Sequence, residues 1–184
     1  MSHGIGLVPE DRKKQALFLS LAIRTNMTIA AQDEVSRGWF VDERKEDVLI
    51  DEFRKLLSIR MASPEQAAGQ LSGGNQQKIV LARWLALRPK ILIVDEPTRG
   101  IDIGSKVEVH NLLIDMAKQG IAVIVISSEL PEILAISDRI VTMREGRVTG
   151  EIARTKATQE VLMAMMTAHE SGVAHVSGLN GEFS

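Results

Sequence analysis

Two uninterrupted apolar runs constrain this chain more than any other feature. They are "ILIV" (Ile91–Val94) and "IAVIVI" (Ile121–Ile126). A strand with one wet face alternates polar and apolar residues. An unbroken run predicts a strand covered on both faces, as in a parallel sheet. Between the runs, "SKVE" (Ser105–Glu108) has the form of a capping box. It predicts a helix with Val109, Leu112, Leu113 and Met116 on its buried face, closed by Gly120. Strand, helix and strand in this order give an α/β fold around a mainly parallel sheet.

The flanks extend this picture. "GIGLVPEDR" (Gly4–Arg12) reads as a strand running into a turn, and Leu19–Ala31 as weakly helical. Val41–Arg60 predicts a helix with Leu49, Phe53, Leu56 and Leu57 on one stripe. "SPEQ" (Ser63–Gln66) has the form of a helix start. An amphipathic helix is expected from Asn75 to Leu87, stopping before Pro89. Pro131 opens a short helix, Arg139–Ile152 reads as a hairpin turning at Glu145-Gly146, and a last helix runs from about Thr158 to Thr167. A Gly/Ser-rich tail follows, expected to be mobile. The first 60 or so residues lack buried strands and read as a separate helical lobe. The strand edges of such a chain are an association liability, so autonomous folding is expected to be poor.

Composition excludes several classes. With 22 Lys+Arg against 24 Asp+Glu, the net charge of -2 provides no basic footprint for nucleic acid or an anionic membrane. There is no cysteine, which excludes disulfides and thiolate metal sites. No apolar run approaches the roughly 20 residues of a spanning helix. A soluble chain is expected, with any membrane role acting through a partner.

The chemistry is concentrated between Gln70 and Asp102. "ILIVDEP" ends a buried strand in Asp95 and Glu96, and open α/β sheets bind ligands at that end. Alternation would put the two carboxylates on opposite sides. Asp95 can hold Mg²⁺ through its water shell, and Glu96 can face an attacking water as general base. Taken alone, Asp-Glu-Pro is equally a polar turn. In "LSGGNQQK" (Leu71–Lys78), glycines allow close approach of an anion, the helix start offers free N–H groups, and Ser72 adds a hydroxyl. A glycine turn before a helix is the bland alternative.

Together, "LSGGNQQK" and "ILIVDEPTRGID" resemble the signature motif, Walker B strand and D-loop of an ABC-type ATPase. With "VPEDRK", "DEPTRGIDIGSK" and "SSELPEILAISDRI", they resemble the ATP-binding subunit of bacterial monosaccharide importers, of the ribose, galactose, xylose and arabinose kind. Those subunits fuse two ATPase halves, and these motifs resemble the second. The resemblance implies ATP and Mg²⁺ as cofactors. Asp95 matches the Walker B aspartate and Glu96 the catalytic glutamate. Leu71, Ser72, Gly73, Gly74 and Gln76 match the signature, which in the family binds the γ-phosphate of a nucleotide held by the opposite half. Asp102 matches the D-loop aspartate. Glu10 falls at the Q-loop glutamine, implying contact with Mg²⁺ and the water. The implied layout is residues 1–10 ending the Q-loop strand, 11–70 a helical subdomain docking on a permease, 71–150 the ATPase core, and 151–184 a terminal helix and tail. The implied partners are a second ATPase half or an N-terminal portion, membrane permease subunits and, indirectly, a periplasmic sugar-binding protein, with no nucleic acid. The implied location is the cytoplasmic face of the inner membrane.

Two departures from the family pattern matter. Ser128, in "ISSEL", stands where a switch histidine is expected, so hydrolysis at the site built on this Walker B is expected to be weak. No G-x-x-x-x-G-K-[ST] occurs in the sequence. In the family that loop lies upstream, so the chain reads as a C-terminal part of a half-domain, inactive alone. A non-catalytic module supplying only its signature is the alternative. A soluble ABC ATPase of DNA repair or translation is a third. His3, His110, His169 and His175 show no metal-site spacing. Met163, Met165 and Met166 read as helix packing, Trp39 and Trp84 as packing, and "DERKED" (Asp42–Asp47) as a solvated helix start.

Overall fold

The computed structural model describes residues 4–37 and 40–167. The expectations for His3, Trp39, His169, His175 and the tail lie outside them. The chain divides into two compact units, Met1–Glu129 and Leu130–Ser184.

The first unit opens with β1 (Ile5–Val8), a wide helical turn (Arg12–Ala16), α1 (Ile23–Thr28) and α2 (Gln32–Val35). The short strands β2 (Ser36–Arg37) and β3 (Phe40–Val41) pair antiparallel ahead of α3 (Glu43–Leu56). The helical segment predicted at Leu19–Ala31 forms only over α1. On α3, Asp42 caps the first turn, accepting from Arg44 N and Lys45 N. Its buried stripe is Glu46, Ile50 and Phe53, continuing to Leu57. The predicted Leu56 is 47% exposed instead. "DERKED" is not merely solvated, because Glu46 is buried, accepting from Arg24 at 2.7 Å and Thr28 Oγ1 at 2.8 Å. Arg24 also holds Asp47 and Glu65, fastening α1 to α3 and to the segment before the signature.

"SPEQ" does not start an α-helix. Gln66 reaches back to Ala62 N, Glu65 N bonds Ser63 Oγ, and the chain then makes a bridge from Ala67 to Ala22. Local capping chemistry closes one turn, and pairing with the residue before α1 overrides propagation.

α4 (Gly73–Leu85) is the centre of this unit. The predicted amphipathic helix is buried on nearly every side, since residues Gln76 to Arg83 are all buried. It packs on α1, β1 and α5 (Ile103–Lys118), which is why its polar residues are internal; Lys78 and Arg83 are paired there, whereas Gln77 Nε2 is buried without a hydrogen-bond partner. Arg83 donates to Asn26 O and Asn26 Oδ1 and to Ala16 O, and lies over the Phe18 ring. Lys78 donates to Ser58 O and Glu108.

The sheet has the order β1, β4 (Ile91–Asp95), β5 (Ala122–Ile126), all parallel. Leu7, Ile93 and Ile124 are in register, as are Val8, Val94 and Val125. One face carries Gly6, Val8, Leu92 and Val94 and is buried, with Trp84 packed against Gly6. The other does not match the prediction of strands covered on both sides. Ile5, Leu7, Ile124 and Ile126 are 43–50% exposed, because within the first unit α4 packs against the opposite face. β1 and β5 are both sheet edges.

The predicted capping box at Ser105 is displaced by one turn. Asp102 caps α5, and Ser105 is the residue whose N–H it accepts, at 3.0 Å. Val109, Leu113 and Met116 are the fully buried face. Gly120, at φ 94°, ends the helix region as expected.

In the second unit, α6 (Leu130–Ile136) precedes the hairpin of β6 (Arg139–Arg144) and β7 (Arg147–Ala153). Glu145 and Gly146 both have positive φ, the backbone of a primed two-residue turn. α7 (Gln159–Thr167) packs on the hairpin through Leu162. Of the three methionines expected to pack, Met165 reaches Gly150, whereas Met163 is 49% exposed.

Candidate functional site

The strand β4 delivers Asp95 to its C-terminal end, in register with Ile126 of β5. Asp95 is half-buried, and its carboxylate makes no hydrogen bond or ion pair within the described residues. A carboxylate held by a rigid strand, yet left without a protein partner, suits a hydrated cation. Among the described residues no three acidic or histidine side chains converge, so the remaining ligands of such a cation would be phosphate and water.

Glu96 does not continue the strand alternation. The strand stops at Asp95, and Glu96 adopts the left-handed φ of 47°. Its N–H donates to Ile126 O at 2.8 Å, and its Oε1 accepts from Ser128 N at 2.7 Å. Thus β5 and the turn after it set the Glu96 carboxylate, leaving Oε2 available. Ser128 is exposed and contributes its backbone here.

The signature loop is built around Ser72. Its hydroxyl caps α4, accepting from Asn75 N at 3.4 Å and Asn75 Nδ2 at 3.0 Å. The glycines that follow have a packing reason. A Cβ on Gly73 would stand 2.9 Å from Gly100 O and 2.8 Å from Arg12 Nη2. One on Gly74 would stand 2.6 Å from Ser105 Cβ and Oγ. The signature loop and the D-loop therefore touch within this chain at a distance only glycine permits. Gln76 points inward. It is buried, and its Nε2 donates to Leu71 O at 3.1 Å, fixing the loop from behind. Leu71 lines an open groove of about 580 Å³ with Arg54, Arg60, Gln70, Ser72 and Asn75.

Asp102 spends its carboxylate on the α5 cap, and hydrogen bonds from Ser105 hold its acid below the usual range. Glu10 lies at the turn after β1, where its carboxylate meets Arg99 of the D-loop. The structure thus gathers Glu10 with the D-loop, Glu96 with Ser128, and Ser72 with the two signature glycines.

Sequence reasoning assigned no role to Arg12, which ties these pieces together. It is buried, donating to Arg99 O at 2.6 Å and Gly100 O at 3.1 Å. Burial lowers its pKa. The only signal in the sequence was its place in "VPEDRK"; a partner 88 residues away leaves no local pattern.

Comparison with known proteins identifies the family. The ABC transporter family profile matches residues 1–99. A Rhizobium etli protein named for ribose/galactose/methyl galactoside import as an ATP-binding protein is 50% identical over 167 residues, covering 91% of this chain and 32% of that protein. The ribose import ATP-binding protein RbsA of Bacillus subtilis is 46% identical over 167 residues, covering 91% and 34%. The chain therefore spans about a third of the length of these relatives. Among solved structures, a dimeric ATP-binding cassette in a post-hydrolysis state with ADP and Pi is similar at a TM-score of 0.68 and 25% identity, covering 83% of this chain and 63% of that one. With the profile covering residues 1–99 of 184, this chain belongs to the ABC transporter family.

Proposed function

We propose that the chain is part of the ATP-hydrolysing subunit of an ABC-type monosaccharide importer, with ATP and Mg²⁺ as cofactors. The observation that carries this is the strand end, with Asp95 unpartnered beside a Glu96 carboxylate fixed by Ser128 N–H. The names of the relatives supply the sugar and the direction of transport.

In this reading Asp95 holds the cation, and Glu96 orients water for in-line attack and takes its proton. Bound Mg²⁺ would neutralise charge on the phosphate oxygens. Ser72 and the first-turn N–H groups after it receive the γ-phosphate of a nucleotide held by another ATPase half. Leu71, Gly73, Gly74 and Gln76 shape that loop, and Asp102 fixes the D-loop beside it. Glu10 answers movement of the permease, through Arg99. The division is 1–10 for the strand, 11–70 for permease docking, 71–150 for the core and 151–184 for the terminal part. The partners are a second ATPase half, membrane permease subunits and, through them, a periplasmic sugar-binding protein, at the cytoplasmic face of the inner membrane. No described helix is long and apolar enough to cross a membrane.

In this reading a phosphate-cradling loop is supplied by a partner segment, for which the exposed apolar Ile5, Leu7, Ile124 and Ile126 offer surface. The chain by itself is inactive. A second reading, a module that supplies only its signature, is favoured by Ser128 in place of a histidine.

The test is reconstitution with permease and phosphate-loop segments in vesicles. MgATP-driven monosaccharide uptake that disappears with Asp95→Asn supports the first reading. Uptake that survives Asp95→Asn but is lost with Ser72→Ala supports the second. Co-purification with ribosomes or DNA in place of permease would overturn both.

A further inference from the structure

We infer that Asn75 is a positioning residue for the signature serine: its carboxamide fixes Ser72 as a hydroxyl that can only donate. The inference rests on the reading of Ser72 as a phosphate ligand and adds what makes it one.

The orientation of Asn75 follows from its neighbours. Its Oδ1 lies 2.8 Å from Arg60 N. A backbone N–H only donates, so the atom facing it must be the carbonyl oxygen. The amide nitrogen is thereby turned toward Ser72, and Nδ2 donates to Ser72 Oγ at 3.0 Å. Asn75 N approaches the same oxygen at 3.4 Å. A serine hydroxyl has two lone pairs and one proton. With both lone pairs turned toward Asn75, the proton is what remains for a ligand. Such a hydroxyl selects a group that only accepts, and a phosphate oxygen is one.

The Arg60 N–H is itself held in place. The chain turns sharply after α3 at Ser58, with φ 49°, and Ile59 N bonds back to Arg54 O. Lys78, whose side chain is 3% exposed, donates to Ser58 O at 3.1 Å and to Glu108 at 2.7 Å. Glu108 also pairs with the Arg60 guanidinium. A buried ammonium on α4 and a carboxylate on α5 thus pin residues 58–60. Those residues aim one N–H at Asn75, and Asn75 aims Ser72 outward into the open groove.

The decisive substitution is Asn75→Asp. It keeps the shape and the acceptor for Arg60 N–H but replaces Nδ2 by an oxygen. That oxygen draws the Ser72 proton inward, away from the ligand. Because it also adds a charge, the measurement is a double-mutant cycle with Ser72→Ala, read as KM for MgATP and kcat in the assembled ATPase. Asn75→Ala serves as the uncharged control, and melting temperatures of all variants are compared.

Ser72→Ala is expected to weaken turnover efficiency roughly tenfold or more, the loss of a charge-assisted hydrogen bond. Asn75→Asp should match it, Asn75→Ala should cost less, and Asn75→Asp should add nothing once Ser72 is Ala. Equal losses from Asn75→Asp with and without the serine hydroxyl would overturn the positioning role while leaving Ser72 as a ligand. No loss from Ser72→Ala would overturn the phosphate reading and this inference together.

Discussion

The Ser128 backbone N–H donates to Glu96 Oε1 at 2.7 Å. This bond joins the turn after β5 to the residue after β4, and it does not depend on the Ser128 side chain. The proposed base is therefore already oriented by backbone at a position where the family pattern would place a histidine.

Glu96→Gln retains a carbonyl oxygen for Ser128 N–H but cannot take a proton. Hydrolysis in the assembled cassette is expected to fall by roughly 10²–10⁴-fold, the usual contribution of a general base. Nucleotide affinity should be largely kept. Single-turnover phosphate release alongside equilibrium nucleotide binding checks both halves of the expectation.

Ser128→His leaves the backbone bond in place and adds an imidazole beside Glu96. If weak hydrolysis at this site arises from the missing imidazole, steady-state turnover should rise. An unchanged rate would place the limitation elsewhere.

Gly74 of the signature and Gly120 after α5 give a graded stability test. Gly74→Ala puts a methyl 2.6 Å from Ser105 Cβ and Oγ, in a buried contact between α4 and α5. Overpacking of this kind costs about 1–3 kcal/mol. Gly120→Ala meets no atom within 4 Å and suffers only from its φ of 94°. A chemical denaturation midpoint should therefore drop further for Gly74→Ala than for Gly120→Ala.

Arg12→Lys replaces a fork that donates to Arg99 O and Gly100 O by a single ammonium. The D-loop should open more often. Hydrogen exchange at residues 98–102 is the direct readout, and faster exchange there with unchanged exchange in α3 is the expected pattern.

Glu108 supplies a pH dependence. The hydrogen bond and charge of Lys78, aided by Arg60, hold its carboxyl below the ordinary range. A lowered folded-state pKa contributes stability that is fully present above the unfolded value, about 4.3 for glutamate, and is lost as pH falls through the folded value. Glu108→Gln should therefore flatten the acid side of the stability profile below about pH 4 while lowering stability at neutral pH. Urea midpoints from pH 3 to 7 measure it.

How much of this was legible beforehand depended on the range of the interaction. The apolar runs of β4 and β5 and the Glu145-Gly146 turn declared themselves because their causes are local: side-chain period and backbone handedness. The motif from Leu71 to Asp102 was likewise readable as a string and carried the family with it. Tertiary structure decided the rest. It buried both sides of α4, so that Gln76, Lys78 and Arg83 became internal braces where periodicity suggested an amphipathic helix. It moved the α5 cap from Ser105 to Asp102. It brought Arg12 to Gly100 and Arg60 to Asn75, contacts between segments far apart in the chain. Sequence alone fixed which residues could make a strand, a turn or a cap. Which of them met depended on how the helices packed, because a hydrogen bond between distant residues has no period to read.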